Sequence, residues 1–149
     1  MNVLIIEDSE IKFANIRKVL DEAEINYPRI PIKTYIECMK ELRENHDSYD
    51  MIILDMALPR FPKESPYMIA GYDILRRMHY EKIFLPTIVL TGFSSFTVDG
   101  EIMDYIQLEN KIYDSYDVSN DTKILHYNNS KKDWEYSLVN FATQVKEKI

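Results

Sequence analysis

The chain has 149 residues, 46% of them hydrophobic and three of them glycine, which is the composition of one ordinary globular domain and not of a disordered or fibrous protein. Its formal net charge of −7 argues against a nucleic-acid partner, and no apolar stretch is long enough to cross a bilayer. Met1 leads directly into an apolar run without a basic targeting segment, and Cys38 is the only cysteine. We therefore expect a single domain over residues 1–149, located in the cytoplasm, with neither membrane nor nucleic acid as a partner.

Short apolar runs alternate along the chain with segments in which apolar residues recur at helical spacing. The runs are rich in Val, Ile and Leu, as is typical of strands buried on both faces of a parallel sheet. In chain order, the pattern predicts a strand at 3–6, a helix at 9–24, a strand at 30–35, a helix ending near 45, a strand at 51–54, a helix at 71–80, a strand at 87–90, one helix at 101–113, a strand at 123–127 and a final helix that carries Trp134.

Polar residues stand where helix caps are expected. Ser9 precedes the first predicted helix, and Thr34 with Glu37 has the spacing of a capping box ahead of the second. Ser130 with Asp133 makes a weaker capping pair before the last helix.

Five strands that alternate with helices predict an α/β fold with right-handed crossovers, in which a doubly wound parallel sheet carries helices on both faces. Of the two common strand orders, the flavodoxin-like order 2-1-3-4-5 suits a five-stranded chain. This order places the first and third strands side by side.

Carboxylates follow the first and third predicted strands. Glu7 and Asp8 come after residues 3–6, and Asp55 comes after residues 51–54. Ligands of such sheets bind just beyond the carboxyl ends of the strands, so three carboxylates would converge there and their repulsion would call for a hard divalent cation. The acidic pair alone is equally consistent with a helix cap, but a carboxylate after four buried apolar residues needs a partner. We therefore predict a site that takes up a phosphoryl group on Asp55.

Three motifs, in this order and on these strand ends, resemble the receiver domain of two-component response regulators. They are the acidic pair after the first strand, the segment Leu54–Pro59 with its proline four residues beyond Asp55, and Thr91 at the end of the fourth strand. The resemblance spans essentially the whole chain.

The resemblance implies a stand-alone receiver domain that is not an enzyme in the usual sense, although it takes part in its own phosphorylation and dephosphorylation. Its implied partners are a histidine kinase or phosphotransfer protein and a downstream protein target. The implied phosphoacceptor is Asp55, the implied ligands of Mg²⁺ are Glu7, Asp8, Asp55 and the Ala57 carbonyl, and the implied phosphoryl contacts are the Thr91 hydroxyl and the backbone of Ala57 and Gly92.

The chain departs from the receiver pattern at the fifth strand, where the family normally carries a lysine that pairs with the phosphoryl group. Residues 123–127 have no lysine at the strand end. Lys131 or Lys132 would have to reach back across the loop, or Asn128 or Asn129 would have to donate a neutral hydrogen bond instead. The aromatic switch residue of the family is either His126 or Tyr127, depending on the register.

Two segments are longer than the receiver pattern suggests. Residues 60–70 follow the phosphoacceptor strand, and they are either a lid, a partner-docking edge or a tolerated surface insertion. Residues 93–122 carry many carboxylates, so we expect an acidic, irregular face whose partner would present basic groups.

Three other functions remain as alternatives. The first is a pseudo-receiver, an interaction module of the same fold that is not phosphorylated, which the missing lysine favours. A phosphatase of the haloacid-dehalogenase kind needs a second aspartate where Ala57 stands, and a flavodoxin needs a Ser/Thr-rich loop after the first strand. A basic group already lying among the three carboxylates would count against phosphorylation.

Overall fold

The main sheet and its helices are defined by the computed structural model, which describes residues 1–115, 122–128, 130 and 132–149. Its elements in chain order are β1 Val3–Ile6, α1 Glu10–Glu22, α2 Tyr35–Asn45, β2 Met51–Leu54, β3 Leu58–Pro59, β4 Pro66–Tyr67, α3 Ala70–Tyr80, β5 Thr87–Thr91, β6 Ser95–Val98, β7 Glu101–Asp104, α4 Tyr105–Ser115, β8 Thr122–His126 and α5 Asp133–Glu147.

Four parallel strands form the main sheet in the order β1-β2-β5-β8. One core cluster joins alternate strand residues to α1 and α5, and the other joins the remaining strand residues to α2, α3 and α4. Helices therefore cover both faces, which confirms the doubly wound α/β architecture. Among the described residues, no helix combines the length and apolarity needed to cross a bilayer.

The second predicted strand, residues 30–35, is the main error in the predicted five-stranded sheet. Within this segment, Ile32 makes an isolated parallel bridge with Ile6 of β1; a second isolated bridge, Asn26 with Asn2, lies before it. Pro28 precedes this segment and Pro31 interrupts it, and proline has no backbone N–H to donate to a ladder. The position next to β1 is therefore occupied as the order 2-1-3-4-5 requires, but by an irregular segment.

The segment after β5 is more regular than its sequence suggests. Residues 95–104 form an antiparallel hairpin in which Val98 pairs with Glu101, and α4 begins only at Tyr105. The two turn residues, Asp99 and Gly100, have φ of 51° and 80°, as a two-residue hairpin turn requires. The predicted helix at 101–113 was thus wrong in its first turn, because the Asp-Gly turn signal outweighs helical spacing there. Residues 116–121 of the acidic segment lie outside the described residues.

The proline-rich segment 60–70 folds back as a small hairpin between β3 and β4. The Ile36 N–H donates to the Arg60 carbonyl at 3.2 Å, and the Tyr67 ring meets the Tyr35 ring edge-on with centroids 6.2 Å apart. The Arg60 guanidinium lies 4.2 Å from the centre of the Tyr67 ring. These contacts hold the hairpin against the start of α2.

Two of the three predicted helix caps are confirmed. The Ser9 side chain accepts from the Lys12 N–H, and the Thr34 side chain accepts from the Glu37 N–H. The third was wrong: α5 begins after Lys132 without a side-chain cap, and Ser130 instead bonds to the Asn128 side chain.

Gly71 allows α3 to pack directly against the chain that follows β2. A Cβ at this position would lie 2.7 Å from the Asp55 carbonyl oxygen and 3.0 Å from the Met56 Cα. We predict that Gly71→Ala lowers the free energy of unfolding by about 1–3 kcal/mol in urea, since the clash with backbone exceeds the gain in helix propensity.

The control is Gly92→Ala, because a Cβ there would meet no atom within 4 Å. Its free energy of unfolding should stay within about 0.5 kcal/mol of the wild type. Equal stability of the two variants would show that the close packing at Gly71 is not a constraint.

Candidate functional site

Parallel pairing of β1 with β2 brings the three predicted carboxylates together. Ile6 is in register with Leu54, and the Asp55 N–H donates to the Ile6 carbonyl at 2.9 Å. The residues that follow these partners therefore leave the sheet side by side. Each of Glu7, Asp8 and Asp55 places one carboxylate oxygen within 4.8 Å of the others.

The three carboxylates differ in their exposure to solvent. Glu7 and Asp55 are 2% and 9% exposed, whereas Asp8 is exposed. Burial raises the pKa of Glu7 above its usual range; the Lys12 ammonium lowers it and Asp55 raises it further. Burial and the neighbouring Asp55 also raise the pKa of Asp8. The site thus concentrates negative charge where water solvates it poorly.

A lysine already lies among these carboxylates. The Lys12 Nζ is 2.8 Å from Glu7 Oε2 and 3.0 Å from Asp55 Oδ1, and the residue is only 7% exposed. Its ammonium also donates to the Leu90 carbonyl at the end of β5. Lys12 therefore joins the ends of β1, β2 and β5 through one charged group.

Lys12 is a residue of the site that was not among the predicted site residues. Lys12, Ile16 and Val19 are spaced four and three positions apart, so they share the buried face of α1. A lysine on the apolar stripe of a helix that begins next to an acidic pair was the available signal. Its aliphatic stem can pack in the core while the ammonium reaches the carboxylates.

Lys12 also contacts the chain that follows β8. Its Nζ lies 5.5 Å from the centre of the Tyr127 ring, and the Asn15 amide donates to the Tyr127 hydroxyl at 2.6 Å. The Tyr127 ring lies 5.2 Å from that of Trp134, the only tryptophan in the chain. The Lys12 ammonium therefore lies close to one ring of the aromatic pair that Tyr127 forms with Trp134.

The other predicted phosphoryl contacts lie near the strand ends. Thr91, the last residue of β5, is fully buried, and its Oγ1 accepts from the Phe93 N–H at 3.1 Å. Gly92 follows it and is exposed. Ala57 is buried in the turn between β2 and β3.

Sequence comparisons relate the chain to two curated proteins. No protein-family model matches it. It is 24% identical over 123 residues to the Detocs response regulatory protein DtcB of Enterobacter cloacae, which covers 78% of this chain and 81% of DtcB. It is 35% identical over 80 residues to the uncharacterized protein y4jS of Sinorhizobium fredii, but the match covers 53% of this chain and only 19% of that protein.

Solved structures of receiver domains superpose on nearly the whole chain. A response regulator receiver domain protein of Clostridium thermocellum has a TM-score of 0.61 with 22% identity and covers 99% of this chain and 98% of its own. A response regulator receiver protein of Pseudoalteromonas atlantica has a TM-score of 0.65 with 15% identity, and the match covers 99% of this chain and 98% of that protein. The chain has the receiver-domain fold.

Two of the four residues considered as substitutes for the missing receiver lysine, Lys132 and Asn128, belong to the described part of the chain. Lys132 is exposed at the start of α5. The Asn128 side-chain oxygen accepts from the Ser130 N–H, and the Asn128 backbone carbonyl accepts from the Trp134 indole N–H at 3.1 Å. Lys131 and Asn129 lie outside the described residues. Within the described part of the chain, Lys12 is the residue whose ammonium contacts Asp55.

The two candidates for the aromatic switch residue of the receiver pattern, His126 and Tyr127, lie on different sides of the sheet. The exposed His126 stacks on Tyr105 at the start of α4, with ring centroids 6.2 Å apart. Tyr127 packs against α1 and α5 through Asn15 and Trp134.

The donor set fits a magnesium ion. Mg²⁺ prefers oxygen ligands and is usually held by one or two carboxylates together with water. Asp8 and Asp55 would hold the ion, because Asp8 is exposed and Lys12 contacts Asp55 at Oδ1. With all three acids ionised, one ammonium leaves two formal negative charges, which one divalent cation balances. Lys12 and Mg²⁺ are therefore compatible in charge.

We predict that Lys12→Met destabilises the protein by about 3–5 kcal/mol in the absence of divalent cations, because it leaves buried carboxylates without their cation. Urea unfolding followed by circular dichroism in the presence of a chelator measures this loss. Lys18→Met is the matched control, since Lys18 is an exposed residue of the same helix. A loss no larger for Lys12→Met than for the control would show that the buried ion pairs do not stabilise the fold.

Proposed function

We propose that residues 1–149 act as one receiver domain that accepts a phosphoryl group on Asp55. The observation that carries the proposal is the meeting of Glu7, Asp8 and Asp55 at the strand ends of a receiver fold. The similarity to DtcB, whose name identifies it as a response regulatory protein, supports a role in a two-component system. The donor would be the phosphohistidine of a histidine kinase or phosphotransfer protein.

The transfer is a substitution at phosphorus. A carboxylate oxygen of Asp55 forms the new P–O bond while the P–N bond of the donor's phosphohistidine breaks. The electron pair of that bond stays on the imidazole nitrogen, which takes up a proton. Asp55 is suited to this role because it is less deeply buried than Glu7, with 9% exposure against 2%, and its carboxylate lies close to that of the exposed Asp8.

The chain's own groups would stabilise the charge of the phosphoryl oxygens. We propose that the Thr91 hydroxyl and the backbone N–H groups of Ala57 and Gly92 donate hydrogen bonds to them. Thr91 can keep its present contact in this role, because its Oγ1 accepts from the Phe93 N–H while its own O–H is a separate donor. When bound to Asp8 and Asp55, Mg²⁺ supplies positive charge that offsets repulsion between the carboxylates and the incoming phosphate.

We further propose that phosphorylation switches a surface read by a downstream protein. The added charge at Asp55 would alter contacts at the ends of β2 and β5. The hairpin β6–β7 and α4 follow β5 in the chain. The role is therefore signalling and not substrate turnover. We propose a cytoplasmic location, to which the buried free thiol of Cys38 is suited.

Phosphorylation by a small donor tests the proposal. With Mg²⁺ and acetyl phosphate, the intact protein should gain the mass of one phosphoryl group, and Asp55→Asn should gain none, because an amide oxygen is not a competent nucleophile here. Intact-protein mass spectrometry measures both. Asp50→Asn is the control, since Asp50 precedes β2 at the opposite end and binds the Asn2 N–H.

The alternative function is the pseudo-receiver, and the buried Lys12 is the observation that favours it, because its ammonium already neutralises part of the site. The same experiment separates the two functions. An adduct at Asp55 excludes the pseudo-receiver, whereas a wild-type protein that binds Mg²⁺ but never gains mass excludes our proposal.

Magnesium affinity tests the ligand assignment. Asp8→Asn should weaken Mg²⁺ binding by at least about tenfold, because it removes a ligand and a negative charge. Titration followed by Trp134 fluorescence or by calorimetry measures the affinity. Glu10→Gln removes an exposed carboxylate two residues away and should leave it nearly unchanged. Equal losses in the two variants would indicate only a general electrostatic effect.

A further inference from the structure

We propose that Lys12 is the phosphoryl-contacting cation of this domain, supplied by α1 instead of by the end of the fifth strand. The inference rests on the proposed phosphorylation of Asp55. In the receiver pattern, a lysine at the end of the fifth strand pairs with the phosphoryl group. Residues 123–127 have no lysine at that end, and we assign the pairing to Lys12 instead. Three observations about Lys12 carry it.

The first observation is the position of the ammonium. The Lys12 Nζ lies 3.0 Å from Asp55 Oδ1, so it is within hydrogen-bond distance of the carboxylate that would receive the phosphoryl group. When one Asp55 oxygen becomes an ester oxygen, its negative charge moves outward to the phosphoryl oxygens. A cation this close needs to move only by a rotamer change to follow that charge.

The second observation is how the ammonium is held. Lys12 has three donors, and they reach Glu7, Asp55 and the Leu90 carbonyl. Glu7 is almost completely buried, so its carboxylate keeps the ammonium in the site whether or not Asp55 remains a partner. The Leu90 carbonyl is neutral and is the weaker partner. The ammonium can therefore exchange it for a phosphoryl oxygen and still remain paired.

The third observation is the charge of the site. Three carboxylates around one ammonium leave room for a divalent cation, so Lys12 need not leave when Mg²⁺ binds. Lys12 would then supply a charge-assisted hydrogen bond to the phosphoryl group, and Mg²⁺ held by Asp8 and Asp55 would supply further positive charge. A lysine that served only to block the site would compete with both.

The test compares Lys12→Met, Lys12→Gln and Lys12→Arg with the wild type in Mg²⁺ and acetyl phosphate. Circular dichroism first establishes that each is folded in Mg²⁺; Lys12→Gln retains polar contacts and carries the test where Lys12→Met does not fold. Both neutral variants should be phosphorylated about 100-fold more slowly at saturating Mg²⁺, and Lys12→Arg should regain much of the rate because it keeps the charge. Lys18→Met, on the exposed face of the same helix, should match the wild type.

Magnesium affinity is the second readout, because a purely structural role would not move it in the same way. Loss of a neighbouring positive charge should leave Mg²⁺ binding as tight or tighter in the neutral variants, while phosphorylation slows. A misshapen site would weaken both. The opposite movement of affinity and rate therefore supports a direct contact with the phosphoryl group.

Two results would overturn the inference while leaving the proposed function intact: neutral variants phosphorylated at the wild-type rate, or faster than the wild type. The first would make Lys12 a structural ion pair, and the second would make it a plug. Failure of the proposed function is distinct, because the wild-type protein itself would then gain no phosphoryl group.

Discussion

The site depends on how buried negative charge is compensated at the point where β1 and β2 end. Their parallel register forces Glu7 and Asp55 out of the sheet side by side, and packing around them excludes most of the water. An isolated buried carboxylate is unfavourable by several kcal/mol, and two close together are worse. Lys12 compensates part of this charge from α1, and the remainder is suited to a divalent cation.

The same constraint couples the site to the rest of the sheet. One ammonium contacts residues at the ends of β1, β2 and β5 and lies near the Tyr127 ring after β8. A change in the charge of Asp55 would therefore alter the electrostatic environment of groups at the ends of β1, β2 and β5 and of Tyr127, which follows β8. Gly71 lets α3 approach this turn closely, since a Cβ there would lie 2.7 Å from the Asp55 carbonyl oxygen.

The two long segments differ in their relation to this site. The hairpin of residues 60–70 is held against the start of α2 by Arg60 and Tyr67, which favours a packed surface feature over a free lid. The hairpin β6–β7 and α4 follow directly from Thr91 and Gly92. Under the proposed function, they are the elements that directly follow the changed end of β5 in the chain.

The sequence by itself determined the α/β class, the four strands of the main sheet and the meeting of Glu7, Asp8 and Asp55, because continuous apolar runs and strand-end carboxylates are local signals. It also contained the Asp-Gly turn that forms the β6–β7 hairpin, although helical spacing obscured it. Only the tertiary structure decided that residues 30–35 do not form a regular strand and that Lys12 enters the site. The physical reason is that a lysine at a helical position can extend to solvent or inward, and the choice depends on buried carboxylates that come from strands far apart in the chain.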